Sequence, residues 1–111
     1  MDKRRVPEIL DFISKKLSEK KIITQKIILF GSYYNGEPDR DSDIDIAIVS
    51  NNFIDKDNLE RGRLLREIEL GAMKKFDIAV DLIKLTVDEY ENETRMIASY
   101  VKEGKVVYSA K

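Results

Sequence analysis

Five residues of this 111-residue chain have types and spacings that could do chemistry together: Gly31, Ser32, Asp43, Asp45 and Asp81. Gly31 and Ser32 follow a short β-branched and aromatic run. Asp43 and Asp45 open a stretch that alternates with period two, and Asp81 interrupts a third, mostly apolar run. If the three runs are strands lying side by side, the three carboxylates gather on one sheet face beside the Gly-Ser turn. Such a set meets the demand of two-metal phosphoryl or nucleotidyl transfer. Mg²⁺ prefers oxygen ligands and is commonly held by a few carboxylates plus substrate phosphate oxygens. A pair of ions about 3.5–4 Å apart can activate an attacking oxygen and stabilise a leaving one. Gly31 would let a phosphate approach the backbone, and Ser32 offers a hydroxyl and a backbone N–H, best placed at the start of a short helix.

Composition narrows the chemistry further. The chain has no Cys and no His, which excludes disulfides, a thiolate nucleophile, an imidazole base and zinc sites of the Cys or His type. Twenty Lys and Arg against 21 Asp and Glu leave a net charge of −1, so the chain is no simple polycation and direct nucleic-acid binding is not expected. The near-neutrality hides segregation. Residues 1–26 carry eight basic and four acidic side chains, whereas residues 37–45 carry five acids opposed by Arg40 alone. Neither an apolar leader with a cleavage site nor a run near membrane-span length is present, so a cytoplasmic protein without a membrane segment is expected. The length suits one domain over residues 1–111. Self-association is left open.

The elements that would position these residues can be read from periodicity. Val6, Ile9, Leu10, Ile13 and Leu17 trace one face of a helix over 6–20, with Pro7 tolerated in the first turn. A strand is predicted over 26–30. Another is predicted over 43–49, with Ile44, Ile46 and Ile48 on one face and Asp43, Asp45 and Ala47 on the other. Leu59, Leu65, Ile68, Ala72 and Phe76 trace a second helical stripe, weakened by Gly62 and Gly71. A third strand is expected over 78–85, after which Thr86 and Glu89 form a capping-box signature. The helix it starts would show Val87, Tyr90, Ile97 and Val101 inward and run to Gly104. Val106 to Tyr108 would add a short edge strand or an extended tail. The fold class is therefore α/β, a small mixed sheet flanked by helices.

Each feature alone has a bland reading. The Gly-Ser pair could be an ordinary strand-ending turn, residues 37–45 a solvated acidic loop, and Asp81 an edge-strand residue facing water. Tyr33 and Tyr34 read as packing residues sooner than base-stacking ones. Lys3, Arg4 and Arg5 read as a solvated N-terminus, and Arg40 as a counter-charge in the acidic loop.

Jointly, the segment GSYYNGEPDRDSDIDIAIV resembles the signature of the nucleotidyltransferase superfamily shared with DNA polymerase beta: Gly-Ser, ten intervening residues, then Asp-x-Asp. Gly36 and Ser42 also stand where small members have such residues. The VDLI segment around Asp81 and the ending VKEGKVVY are similar to the minimal nucleotidyltransferase (MNT) domains, antitoxin partners of HEPN-domain toxins. The resemblance implies a palm-like fold in which Asp43 and Asp45 bind two Mg²⁺ ions. Asp81 would complete the catalytic ion and help deprotonate the acceptor hydroxyl, and Gly31 and Ser32 would hold the β- and γ-phosphates of ATP. It further implies AMP transfer to a tyrosine of a HEPN-domain protein encoded by a neighbouring gene. Two other readings stay open: an antitoxin that neutralises its partner by complex formation alone, and the catalytic subunit of a small-molecule nucleotidyltransferase.

Overall fold

The computed structural model describes residues 5–36 and 43–110. Glu37, Asp39, Arg40, Asp41 and Ser42 of the acidic segment, and Lys3 and Arg4 of the basic start, lie outside the described residues.

Helix α1 spans Val6–Glu19, with Pro in its first turn, where the missing N–H costs nothing. It buries the face bearing Val6, Ile9, Ile13 and Leu17. Strand β1 (Lys26–Phe30) follows, then the short helix α2 (Ser32–Asn35) and strand β2 (Ile44–Val49). A single 3-10 turn at Asn51–Phe53 leads to helix α3 (Asn58–Phe76). Strand β3 (Val80–Leu85), helices α4 (Val87–Glu91) and α5 (Met96–Lys102) and strand β4 (Lys105–Ser109) complete the chain. The sheet order is β3-β2-β1-β4. Strand β1 pairs antiparallel with both β2 and β4, while β2 and β3 run parallel, joined by the α3 crossover. The mixed α/β architecture expected from periodicity is what forms, and the last strand is a paired edge strand, not a loose tail.

Strand alternation sorts the side chains into two cores. Ile27, Leu29, Ile44, Ile46, Ile48, Val80 and Leu82 face α1 and α3. Ile28, Phe30, Ala47, Val49 and Leu85 face Tyr90 of α4 and Ala98 and Val101 of α5. Asp45 and Asp81 share the parity of this second face, at its open end.

Three expectations need correction. The helix expected from Val87 to Gly104 is two helices, because Glu93 adopts a left-handed conformation (φ 49°) and the Thr94 N–H reaches back to the Glu89 carbonyl. The break turns α5 so that Ala98 and Val101 reach the sheet; Tyr90 and Val101 are buried as expected, whereas Val87 and Ile97 are only partly buried and Ala98 takes the inward place. Leu59, placed in the α3 stripe, is 62% exposed, and Arg61 is buried instead. Asp43 stands just before β2 and not within it.

Arg61 can be buried because four of the five N–H groups of its guanidinium find acceptors. Its Nη1 and Nη2 donate to Glu89 Oε1 and Oε2 at 2.6 and 3.2 Å. Nη1 also donates to the Lys84 carbonyl, and Nε to the Lys56 carbonyl. Glu89 meanwhile accepts from the Thr86 N–H, closing the capping box that starts α4. One fork thus ties α3, the end of β3 and the start of α4. Burial pushes the Glu89 carboxyl up, but the Arg61 bonds, the Thr86 N–H and the Arg61 and Arg95 charges together hold it below the usual glutamate range. A depressed folded-state pKa gives stability that is present above the unfolded value and lost as pH falls through the folded one. Arg61→Met is expected to cost about 2–3 kcal/mol, since it leaves a mostly buried carboxylate unpaired. Urea unfolding at neutral pH checks this, and a loss below about 0.5 kcal/mol would contradict it.

Candidate active site

The β1–β2–β3 order brings the sequence-predicted residues to one end of the sheet. Phe30, the last residue of β1, pairs with Asp45, and Asp45 pairs with Asp81 across the parallel β2–β3 ladder. Residues directly opposite in neighbouring strands project from the same face. Asp45 and Asp81 therefore stand side by side, and Asp43, two residues before Asp45, lies at the same end. Asp45 is half-buried while Asp43 and Asp81 are exposed.

Gly31 leaves β1 with φ 74° and ψ −156°, a conformation nearly reserved for glycine. Its Cα hydrogen faces the Asp45 side chain so closely that a Cβ there would strike the carboxylate, with Asp45 Cγ at 3.1 Å. This close approach is what lets the turn pass over the acid. Ser32 begins α2, whose first turn closes when Tyr34 and Asn35 donate to the Gly31 carbonyl. Tyr33 is buried in the α1-side core, as expected of a packing residue, whereas Tyr34, expected to pack as well, is exposed.

The electrostatics match this crowding. Burial raises the Asp45 carboxyl above the usual aspartate range, and the charges of Asp81 and Asp43 raise it further. Among the described residues no ion pair offsets this cluster. Nor do three or more acidic side chains there close into a finished metal cage. An open oxygen-donor set whose members repel one another, beside a backbone turn, suits a hard divalent cation that keeps water and phosphate oxygens as remaining ligands.

Sequence reasoning overlooked the residues beyond Asp81. A cleft of about 240 Å³ along the outer edge of β3 is lined by Asp81, Lys84, Asn58 and Arg95, with Ile83 and Ile97 as its apolar wall. Arg95 reaches it only because the helix breaks at Glu93, and no glycine or proline in that stretch signals the break. A larger cavity of about 580 Å³ between α1, β1 and β4 includes none of Gly31, Ser32 and the three aspartates. No described helix is long and apolar enough to cross a membrane.

Comparison with known proteins agrees with this geometry. The sequence family described as Polymerase beta, Nucleotidyltransferase matches residues 12–111. A Methanocaldococcus jannaschii protein that carries the provisional name protein adenylyltransferase is 33% identical over 86 residues, covering 75% of this chain and 56% of that protein. The chain thus spans just over half the length of this relative. Among solved structures, a toxin–antitoxin with AMP-PNP superposes with a TM-score of 0.66 at 28% identity, over 91% of this chain and 73% of that one. A Shewanella oneidensis complex of a tri-AMPylated HEPN toxin with an MNT antitoxin gives a TM-score of 0.56 at 23% identity, over 92% and 73% of the respective chains, a likeness of fold. With its Gly-Ser turn packed on Asp45, Asp45 in register with Asp81, and a family match over nearly its whole length, this chain belongs to the polymerase beta nucleotidyltransferase family.

Proposed function

We propose that residues 1–111 act as one catalytic domain, a Mg²⁺-dependent adenylyltransferase that moves AMP from ATP to a tyrosine hydroxyl of a HEPN-domain partner and silences that partner. The observation that carries this reading is the register pairing of Asp45 with Asp81 beneath the Gly31 turn. The relative named for protein adenylylation and the fold shared with an AMPylated HEPN toxin complex support the choice of acceptor.

In this reading Gly31 and Ser32 hold the β- and γ-phosphates with backbone and hydroxyl donors, so that the α-phosphorus lies over the aspartates. Asp43, Asp45 and Asp81 would hold the Mg²⁺ ions, which supply positive charge against the triphosphate and the departing oxygen. Asp81, on the outermost of the three strands, accepts the proton of the incoming hydroxyl. A new oxygen–phosphorus bond forms to AMP as the bond to pyrophosphate breaks. A cytoplasmic setting, where ATP and Mg²⁺ are abundant, suits the reaction.

Incubation with labelled ATP, Mg²⁺ and the HEPN-domain product of the neighbouring gene is expected to label a tyrosine of that product. Absence of label with every nucleotide would overturn the reading. Survival of cells protected by an Asp43→Asn, Asp45→Asn double variant would favour neutralisation by complex formation alone.

A further inference from the structure

The cleft outside β3 has a composition that the carboxylate site does not require. Lys84 and Arg95 are both half-buried in it. Among the described residues neither side chain takes part in an ion pair or a hydrogen bond. Arg61 is the contrast, a cation with four hydrogen bonds and a carboxylate partner. Glu89, whose charge Arg95 reaches, is already forked onto Arg61. Two half-buried cations that form no ion pair or hydrogen bond with the described residues, beside an acid, are a site prepared for negative charge from outside.

The main chain at this edge adds a second observation. In β3 the Ala79 and Leu85 carbonyls accept from Ile44 and Ser50, so odd-numbered residues turn their backbone groups toward β2. By the same alternation Leu82 and Lys84 turn theirs outward. The Leu82 N–H is taken by Glu69 Oε2 at 3.0 Å, and the Lys84 carbonyl by Arg61 at 3.1 Å. Between these two closures lie the Leu82 carbonyl and the Lys84 N–H, the pair that one residue of an added extended segment would bond. The edge is closed against a long strand and open to a single residue.

Geometry then says what comes here. In-line displacement puts the attacking oxygen and the departing pyrophosphate on opposite sides of the α-phosphorus. With the phosphates on the Gly31-Ser32 turn, on the β1 side of Asp45, the acceptor must arrive over Asp81 from the β3 side. We propose that this cleft is the acceptor subsite, binding an extended polypeptide segment whose acceptor hydroxyl is flanked by negative charge held by Lys84 and Arg95. The charge can belong to acidic side chains near the hydroxyl or to the phosphodiester left by an earlier AMP transfer. This inference rests on the adenylyltransferase reading for its chemistry, but its binding arm does not.

The probes are three synthetic peptides with one tyrosine each: flanked by Glu, flanked by Gln, and flanked by Gln with AMP already on the tyrosine. Binding is measured by fluorescence anisotropy without nucleotide, and KM for each peptide in the transfer assay with Mg²⁺ and ATP. The intact chain is expected to bind one or both anionic peptides at least about tenfold more tightly than the neutral one. Lys84→Gln, Arg95→Gln and the double variant should remove that preference, raise KM for the anionic peptide alone and leave ATP binding unchanged. Preference for the Glu peptide assigns the charge to side chains, and preference for the AMP-bearing peptide assigns it to the previous transfer. Equal binding of all three peptides would overturn the proposal. So would variants that lose ATP affinity instead, because the cations would then serve the triphosphate. Charge-dependent binding without any AMP transfer would leave the cleft assigned and sink the adenylyltransferase reading, so the two failures are distinguishable.

Discussion

Asp45→Asn is expected to lower nucleotidyl transfer about a thousandfold while leaving the chain folded and slightly more stable. Asp45 is the one aspartate that touches every part of the site: it pairs with Asp81, follows Asp43 by two residues and lies under the Gly31 turn. Asparagine keeps the shape but removes the charge that holds a divalent ion. The stability change has the opposite sign because Asp45 is uncomfortable as a carboxylate. Burial, then Asp81, then Asp43 raise its pKa, so the folded state binds this proton more tightly than the unfolded chain does. The ionised form therefore costs stability at neutral pH, and the cost disappears as pH falls below the unfolded value. Solvent at this open site screens the effect, which keeps the gain from Asp45→Asn under about 1 kcal/mol. Melting curves at neutral pH and at about pH 4 should show the difference between wild type and variant shrinking in acid. The raised pKa also means that Mg²⁺ binding should weaken at a pH above that of an ordinary aspartate. A variant that keeps near-normal transfer, or that is less stable at neutral pH, would remove Asp45 from the assigned role.

Gly31→Ala should be nearly as damaging although alanine brings no charge and removes none. The backbone at φ 74° and ψ −156° costs a non-glycine residue about 1–3 kcal/mol. The new methyl group must then share space with the Asp45 carboxylate, with Cγ at 3.1 Å and Cβ at 3.3 Å. Relief requires either the turn to lift or Asp45 to swing away. The expected loss is about 2–4 kcal/mol of stability and about a hundredfold in transfer, the scale of an ångström of misplacement at reacting groups. Gly62→Ala is the control. It lies inside α3 with nothing within 4 Å of the added carbon, so the same substitution should there stabilise by about 0.5–1 kcal/mol. Thermal melts of both variants with the transfer assay separate local strain from a general intolerance of alanine. A Gly31→Ala protein with wild-type activity would mean that the turn does not set the position of Asp45.

Much of this arrangement could be read from the chain because its local signals agree with its tertiary structure. The alternation of Ile44, Ile46 and Ile48 against Asp45 and Ala47 gave both the strand and the face on which the acid lies, since side-chain period in a strand leaves only two choices. Thr86 and Glu89 marked the start of α4 because a capping box is a bonded unit of four residues. Other features were decided by contacts distant in sequence. Arg61 takes the place expected for an apolar side chain because Glu89, 28 positions away, completes its bonds. Glu93 breaks the last helix with a side chain that carries no turn signature, and the break is favoured by the burial of Ala98 and Val101 that follows from it. The cleft at Asp81 depends on both of these and so had no marker within its own segment. The acidic cluster was legible as a cluster, whereas which of its members meet across strands became visible only in the β2–β3 register.

The parallel β2–β3 pairing also orders events in time. Strands β1 and β2 are antiparallel neighbours that can associate as soon as both exist, while β3 must wait for the 19-residue α3 to bridge the crossover. During synthesis the chain therefore presents Gly31, Ser32, Asp43 and Asp45 before it can present Asp81. A growing chain that has emerged only as far as α3 lacks the outermost carboxylate and the proposed acceptor edge together. On the adenylyltransferase reading proposed above, the domain would be inert toward acceptors for as long as it is incomplete, and commitment to chemistry would coincide with the docking of β3.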